Sequence, residues 1–398
     1  MCGIAGIWDN KNLNNDLLKQ AINMAEIMNN RGPDFKGSWI DNENGIAFAH
    51  SRLSIIDLSE SANQPMTSDN QRFVLVFNGE IYNHKDLRNI IEKKNNHKKA
   101  WRSLSDTETL LSLIECFGIE DALKKTVGMF AIAVWDKQER ILTLARDRFG
   151  EKPLYWGWDN LENKKKFIFA SDISAFRGLE TNNFSINKNA LSAYFNRGCI
   201  PAPFSIFNEI QQLSPGYLIE INPKNKFSDI HPRQWWDSEF LMNSIEIISN
   251  SDDRLISELE EVLISSIKDQ SFADVPVGVF LSGGIDSSLV TAILQSTSPK
   301  PISSFTISFP ELFDDSKGFN EAKYANDIAD FLGTNHHEFE LSTKETKEII
   351  TKLPQIYTEP FSDSSQIPSH LICKEARNQG IKVALTGDGG DELFGGYN

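Results

Sequence analysis

A cysteine directly follows the initiator methionine, and this position allows one residue to supply both a nucleophile and a base. If Met1 is removed, which the small side chain of Cys2 should permit, Cys2 carries a free α-amino group. The unperturbed pKa of such an amine is about 7.7–8.0, so the amine can accept the thiol proton at neutral pH. For Cys2 taken alone, a small, buried and inert cysteine is the simpler interpretation.

A second stretch that could do chemistry is a turn rich in glycine and serine, which follows the apolar run Val277–Leu281 and opens a helix. Its sequence is Ser282-Gly283-Gly284-Ile285-Asp286-Ser287-Ser288. A helix that begins this way presents backbone N–H groups at the positive end of its dipole, where phosphate binds. The serine hydroxyls add donors, and Asp286 can hold Mg²⁺ against phosphate oxygens. The lysine of a Walker-type loop is missing, which excludes that class of NTPase. A turn without a ligand is the alternative.

Cys2 is accompanied by four further motifs over about 110 residues. In order, the five are Cys2–Gly6, Arg31–Asp34, His50–Asp57, Phe77–Asn83 and Ser105–Glu108. This set resembles the class II glutamine amidotransferases, which belong to the N-terminal-nucleophile hydrolases. The resemblance implies that Cys2 attacks the side-chain amide of glutamine, forms a thioester and releases ammonia.

The same resemblance assigns an oxyanion hole to Asn78, through its side-chain amide, and to Gly79, through its backbone N–H. Glycine lets the backbone approach a ligand closely, and donors aimed at a developing oxyanion stabilise it. The alternative for Asn78-Gly79 is a type I′ hairpin turn between two strands.

Three charged residues are implied to bind the two charged groups of glutamine. Arg52 would hold the α-carboxylate as a charge-assisted fork, and Glu80 and Asp106 would accept from the α-ammonium group. The alternative is that Arg52 is an ordinary surface ion and that Asp106 belongs to a helix cap.

The turn at Ser282–Ser288 resembles the signature of the N-type ATP pyrophosphatases, which cleave ATP between the α and β phosphates. A second stretch, Ala384–Tyr397, is similar to the acidic loop of asparagine synthetases. The residues that these resemblances assign to ATP and pyrophosphate are Leu281, Ser282, Gly283, Gly284, Asp286, Ser287, Ser288, Ile307, Thr386 and Gly387.

Three acids near these stretches are also assigned by resemblance. Asp286 and Asp391 would bind Mg²⁺. Asp388 stands where many members have Glu, and an acid at that position assists the acyl-adenylate step. A solvated acidic loop is the alternative, which the glycines among these acids disfavour.

Together the two halves resemble the glutamine-hydrolysing asparagine synthetases, which implies glutamine, aspartate and ATP as substrates, Mg²⁺ as cofactor and β-aspartyl-AMP as intermediate. Glu359–Ser365 also resembles a stretch of that family and favours aspartate as the acceptor. Family members continue beyond the acidic loop, so we expect a synthetase domain that is incomplete at its C-terminus and weakly active. The alternatives are an amidotransferase that acts on a sugar-acid or peptide carboxylate, and a glutaminase-like module without catalysis.

The strands and helices that must position these residues are predicted by two different sequence patterns. Short apolar runs up to about residue 180 predict strands, with helices at Asp16–Met28 and Asp106–Cys116, and so stacked antiparallel sheets. From about residue 251, strands alternate with helices, which predicts an α/β domain with a parallel sheet. We therefore expect an α+β N-terminal-nucleophile sandwich over 2–215, a connecting segment over 216–250 and an ATP pyrophosphatase domain over 251–398.

Composition excludes several other classes of protein. The formal net charge of −15 argues against non-specific binding of nucleic acid or anionic membrane. No apolar run approaches the roughly 20 residues that span a bilayer, and no signal peptide precedes Cys2. Four scattered cysteines predict a reduced, cytoplasmic protein. His336 and His337 are predicted to lie in a loop or on the surface rather than to bind metal. A homodimer is kept as an open hypothesis.

Overall fold

The computed structural model describes residues 1–9, 16–161, 164–180, 183–222, 230–239, 242, 252–309 and 321–396. Contacts within the chain divide it into two compact units. The first comprises Met1–Glu246 together with Tyr357–Ser362, and the second comprises Ile247–Ile356 and Asp363–Asn398. A short segment from late in the sequence is therefore part of the first unit.

The first unit is built on two antiparallel sheets of six strands each. In spatial order, the first sheet contains β10 (Ile210–Gln212), β8 (Tyr155–Leu161), β9 (Lys164–Ala170), β1 (Gly3–Trp8), β3 (Ile46–Arg52) and β2 (Phe35–Asp41). The second sheet contains β12 (Arg233–Gln234), β11 (Tyr217–Ile221), β7 (Ile141–Arg146), β6 (Gly128–Asp136), β5 (Phe73–Ile81) and β4 (Met66–Thr67). The sheet thus includes residues beyond 215, within the stretch that the sequence assigned to a connection.

The two sheets pack face to face, and helices cover their outer faces. Side chains from both sheets, among them Ile4, Phe48 and Val76, form one buried cluster between them. The helices of the first unit are α1 (Asp16–Ile27), α2 (His84–Asn95), α3 (Asp106–Phe117), α4 (Ile119–Lys125) and α5 (Lys188–Arg197). Helices α1 and α5 pack on the first sheet, and the other three pack on the second. The predicted stacked antiparallel sheets are confirmed.

The second unit contains a parallel sheet of four strands, as predicted. Their spatial order is β15 (Asn335–Glu340), β14 (Ser303–Ser308), β13 (Val277–Phe280) and β16 (Val383–Leu385). The helices are α6 (Asp252–Gln270), α7 (Ile285–Thr297), α8 (Ala322–Leu332), α9 (Thr343–Ile350), α10 (Leu353–Ile356), α11 (Gln366–Asn378) and α12 (Gly390–Phe394). Among the described residues, no helix combines the length and apolarity needed to cross a bilayer.

His336 and His337, predicted to lie in a loop or on the surface, lie half-buried on the edge strand β15 and not in a loop. The Nδ1 atom of His336 lies 2.7 Å from the hydroxyl of Ser304, and the His337 ring stacks on Phe305 with centroids 5.1 Å apart. These contacts hold the two rings against β14, a neighbour that the local sequence does not reveal.

Candidate active site

One end of the layer between the two sheets of the first unit is polar. Side chains of a strand alternate between its two faces, so positions two and four residues from Ile4, Phe48 and Val76 face the same layer as they do. Those positions are Cys2, His50, Arg52, Asn78 and Glu80. The structure thus brings four of the predicted glutaminase residues to one end of the sandwich.

Cys2 is held against the backbone that follows β3. The N–H of Leu53 donates to Sγ of Cys2 at 3.4 Å, and Sγ lies 3.7 Å from the carbonyl oxygen of Leu53. Burial raises the pKa of the Cys2 thiol, and the nearby terminal amine opposes that shift. Burial also lowers the pKa of that amine, here on Met1, to about 6. Removal of Met1 would replace this amine by the α-amine of Cys2 itself.

Arg31 also contacts Cys2, although the sequence analysis gave it no role. Its Nε atom donates to the carbonyl oxygen of Cys2 at 3.1 Å, and its guanidinium lies 3.8 Å from a carboxylate oxygen of Asp172. Its place in the motif Arg31–Asp34 was the signal that could have identified it.

Asn78 and Gly79 lie within β5, so the alternative of a hairpin turn is wrong. Asn78 is 1% exposed, and both polar atoms of its side chain lack a partner among the described residues. An unpaired buried amide costs free energy, so it is typical of a group that awaits a ligand.

The backbone N–H of Gly79 points away from β6. Gly79 pairs with Phe130, whose own N–H and C=O groups bond to Asp147 on the far side. Directly opposed residues of an antiparallel pair both face each other or both face away, so the Gly79 N–H faces the side of β5 that is opposite β6. A Cβ at this position would lie 2.1 Å from the carbonyl oxygen of Met129, which excludes any larger residue.

The guanidinium of Arg52 is enclosed by the loop that follows β3. Its terminal nitrogens donate to the carbonyl oxygens of Ser59 at 3.0 Å, of Ile56 at 3.5 Å and of Asp57, and to Oδ1 of Asn63 at 2.8 Å. The predicted fork on a carboxylate would have to share these donors or use the Nε–H group. Arg52 is 5% exposed, so it is not an ordinary surface ion.

Two buried carboxyl groups, Glu80 and Asp106, have raised pKa values. Burial, with the charge of Asp106, raises the pKa of Glu80 to about 7. Burial raises the pKa of Asp106 to about 6, against hydrogen bonds such as that from the N–H of Ile81 at 2.9 Å. Asp106 is the first residue of α3, and Ser105 caps that helix by accepting from Glu108.

Lys152 is a buried cation near these carboxyl groups that the sequence analysis did not single out. It is 8% exposed, its charge lowers the pKa of Glu80, and burial lowers its own pKa. Its backbone N–H donates to Asp147 at 3.0 Å, in a tight turn. In the sequence it resembles any lysine of a polar turn.

In the second unit, the predicted phosphate loop joins β13 to α7. The hydroxyls of Ser282 and Ser287 lie 3.0 Å apart, and the Ser288 hydroxyl donates to the carbonyl oxygen of Gly284 at 2.6 Å. Gly283 has a φ of 90°, which favours glycine. The loop is therefore ordered by its own hydroxyl groups at the N-terminus of a helix of 13 residues.

The acidic loop packs directly on this phosphate loop. A Cβ at Gly387 would lie 2.8 Å from the backbone N of Ser287, and one at Gly390 would lie 2.5 Å from Oδ2 of Asp286. Thr386 donates to the Asp388 carboxylate at 2.9 Å. Asp391 lies in the first turn of α12. The structure thus joins the two predicted ATP motifs, while Tyr397 of the second motif lies outside the described residues.

Two other residues that the resemblance assigns to ATP, Leu281 and Ile307, are not close to each other. Leu281 is 1% exposed and packs against Ala325 and Ala329 of α8. Ile307 packs in a different cluster, with Leu341. Because Phe280 pairs with Phe305 and faces alternate along each strand, Leu281 and Ile307 lie on opposite faces of the sheet.

Comparisons with known proteins match both halves of the chain. The glutamine amidotransferase domain family matches residues 1–236, and the asparagine synthase family matches residues 258–398. A putative glutamine-hydrolysing asparagine synthetase of Methanocaldococcus jannaschii is 34% identical over all of this chain and 76% of its own length. Asparagine synthetase 1 of Bacillus subtilis is 33% identical over 59% of its length, and asparagine synthetase B of Escherichia coli is 30% identical over 65%.

The chain therefore spans about three-fifths to three-quarters of the length of these relatives. Among solved structures, the glutamine phosphoribosylpyrophosphate amidotransferase of B. subtilis matches 97% of this chain and 81% of its own, at 14% identity. The TM-score of this match is 0.43.

Proposed function

Because this chain belongs to the family of glutamine-hydrolysing asparagine synthetases, we propose that it converts L-aspartate, L-glutamine, ATP and water to L-asparagine, L-glutamate, AMP and diphosphate. Family membership rests on the matches over both halves of the chain. The substrates and the division of the reaction between the two units are our proposal.

The first unit hydrolyses glutamine. After removal of Met1, the α-amine of Cys2 takes the thiol proton, and Sγ attacks the side-chain amide carbon. Asn78 and the N–H of Gly79 donate to the resulting oxyanion and so lower the barrier to the tetrahedral intermediate. The amine returns the proton to the leaving nitrogen as ammonia departs. Water then hydrolyses the thioester to glutamate and free Cys2.

Two carboxylates and one cation bind the amino-acid end of glutamine in this scheme. Glu80 and Asp106 accept from the α-ammonium group, and that charge favours the ionised form of both carboxyls. Arg52 donates to the α-carboxylate. The loop oxygens around the Arg52 guanidinium hold it in one orientation before substrate arrives, and such preorganisation reduces the entropic cost of binding.

The second unit activates aspartate. The β-carboxylate attacks the α-phosphorus of ATP, diphosphate leaves, and ammonia then displaces AMP from the acyl-adenylate. The N–H groups and hydroxyls at Ser282–Ser288 bind the diphosphate. Asp388 lies on the loop beside this site and assists the adenylate step.

Mg²⁺ fits the donors that the two ATP motifs offer. Mg²⁺ is usually bound by one or two carboxylates together with substrate phosphates. Asp286 and Asp391 offer that number: Asp286 lies against Gly390, the neighbour of Asp391. Bound there, the ion would neutralise charge on the phosphates, and the two aspartates would hold it.

The four cysteines are free thiols, in keeping with a reduced, cytoplasmic setting.

The observation that carries the glutaminase proposal is the buried Asn78 amide without a partner among the described residues, beside a Gly79 N–H that points away from β6. An unpaired amide that faces the same layer as Cys2 suits acyl transfer, whose intermediate is an oxyanion. A merely structural asparagine at this depth would be hydrogen-bonded.

The test is to incubate the protein with ATP, Mg²⁺ and aspartate, with either glutamine or ammonium chloride, and to assay asparagine, AMP and ADP. Cys2→Ala should abolish use of glutamine and leave use of ammonia intact, and Cys116→Ser serves as the matched control. Asparagine formation from glutamine by Cys2→Ala, or ADP as the nucleotide product, would refute the scheme. Amide formation with a sugar acid but not with aspartate would identify a different acceptor of the ammonia.

A further inference from the structure

The loop between β3 and β4 contains Asp57, a buried residue whose carboxylate has no part in the reaction scheme. Asp57 is 8% exposed and has a φ of 54°. This left-handed region is uncommon for residues other than Gly, Asn and Asp. Its carbonyl oxygen accepts from the Arg52 guanidinium. The backbone of Asp57 therefore forms part of the enclosure around Arg52.

The Asp57 carboxylate accepts hydrogen bonds from two directions. Its Oδ1 atom accepts from the N–H of Ser59 at 2.9 Å and from the Ser59 hydroxyl at 2.6 Å. Its Oδ2 atom accepts from the N–H of Leu104 at 2.6 Å. One oxygen therefore fixes the loop that surrounds Arg52, and the other fixes the backbone two residues before Asp106.

We propose that Asp57 is a positioning residue that fixes the separation of Arg52 and Asp106, and so makes the site selective for an intact α-amino acid. This inference rests on the proposed function, in which Arg52 and Asp106 bind the α-carboxylate and the α-ammonium group. These two groups are attached to the same carbon atom of glutamine, so both contacts form only if the two protein groups keep one spacing. Misplacement by about 1 Å can cost about 100-fold in rate.

The charge of Asp57 suits this role. Burial acts to raise its pKa, but the hydrogen bonds from Ser59 and Leu104 and the charge of Arg52 outweigh it, so the pKa lies below its usual value. A charged acceptor forms stronger hydrogen bonds than a neutral one. An asparagine would keep one acceptor oxygen and tolerate the backbone conformation, so it would hold only one of the two directions.

The experiment compares hydrolysis of L-glutamine with that of glutaramate, which has no α-ammonium group, by the wild type, Asp57→Ala and Asp57→Asn. Glu60→Gln is the matched control, because Glu60 is an exposed acid of the same loop. In Asp57→Ala we expect KM for glutamine to rise about tenfold, kcat to change by less than about threefold, and the preference for glutamine over glutaramate to fall about tenfold. Asp57→Asn should lie between the wild type and Asp57→Ala.

The preference between the two substrates separates positioning from general damage, because a weakened fold lowers both activities equally. An unchanged preference in Asp57→Asn and in folded Asp57→Ala overturns the inference, as does an equal loss in Glu60→Gln. If Asp57→Ala does not fold, Asp57→Asn decides alone. Wild-type protein that hydrolyses no glutamine would instead refute the proposed function, so the two failures are distinguishable.

Discussion

Gly390 lies so close to Asp286 that a Cβ atom on its backbone would sit 2.4 Å from the carboxyl carbon. The contact joins two stretches of sequence more than 100 residues apart. It leaves room for hydrogen only at position 390, so the glycine is required by packing between the two loops rather than by a left-handed φ.

Gly390→Ala should displace the Asp286 carboxylate and lower the rate of AMP formation by about tenfold or more, since small displacements in a site are costly. The measurement is release of diphosphate with ammonia as the nitrogen source. Glutamine hydrolysis in the same sample is the internal control and should not change. Normal diphosphate release by a folded Gly390→Ala protein would contradict this account of the contact.

Asn78→Leu should have opposite effects on activity and stability. Loss of an oxyanion donor should lower kcat for glutamine by about 10²–10³-fold. Removal of a buried amide without a partner should raise the free energy of unfolding by about 1–3 kcal/mol. All eight tryptophans lie between residues 8 and 236, so tryptophan fluorescence in denaturant reports the first unit.

Thr143→Val is the matched control for Asn78→Leu. The Thr143 hydroxyl is also buried without a partner among the described residues, but it lies on β7, away from Cys2. This variant should gain stability and keep its activity. A loss of stability in Asn78→Leu would show that the amide is satisfied in the free protein.

Lys152 should set the pH dependence of glutamine use. Below a pH of about 7, Glu80 becomes protonated and binds an ammonium group less well, so kcat/KM should fall as the pH drops. Lys152→Met removes a cation that lowers the Glu80 pKa and should move this acid limb to higher pH. Lys98→Met, at an exposed lysine, is the control. If the acid limb of kcat/KM has the same midpoint pH in both variants, Lys152 is excluded as the cause.

The Glu80 carboxyl should also make the stability of the fold depend on pH. Folded Glu80 has a pKa of about 7, against about 4.5 for an exposed glutamate, so the folded state holds the proton more tightly. Its contribution to stability is fully present below about pH 4.5 and is lost as the pH rises to about 7. Glu80→Gln should therefore be more stable than the wild type at pH 8 and not at pH 4, by denaturant titration.

Glu359 stabilises the first unit although it lies late in the sequence. Its carboxylate accepts from the N–H of Ile206 at 2.7 Å, the hydroxyl of Tyr155 at 2.8 Å and the amide of Gln212 at 3.1 Å. Glu359→Ala should lower the free energy of unfolding of the first unit by about 1–3 kcal/mol, measured by tryptophan fluorescence, because partly buried donors lose their acceptor. Glu359→Gln should cost less, and the exposed Glu348→Ala should cost nothing.

The sequence predicted the antiparallel sandwich and the parallel sheet because their central strands are apolar runs, such as Phe73–Phe77 and Val277–Leu281, both largely buried. Strand β2 was missed because its side chains are partly exposed and no apolar run marks it. Strand β11 was missed because it follows the Pro215-Gly216 turn, which suggested a connection, and its partner β7 lies far away in sequence.

Sequence motifs predict candidate site residues, whereas residues that approach them only in space carry no such motif. Cys2 and Asn78 stand in recognisable motifs. The role of Lys152 depends on burial beside Glu80, and that of Asp57 depends on a hydrogen bond to Leu104, 47 residues away. Neither relationship has a local signature, since both arise from how β5, α3 and the loops around them pack.

The return of Tyr357–Ser362 to the first unit means that this protein cannot be dissected into two complete halves by one cut. A fragment that ends at residue 246 would lack Glu359, whose carboxylate accepts hydrogen bonds from the first unit. A peptide that spans residues 357–362, added separately or joined by a short linker, should restore the stability of that fragment. The affinity of this peptide for the fragment would then measure how strongly residues 357–362 bind to the rest of the first unit.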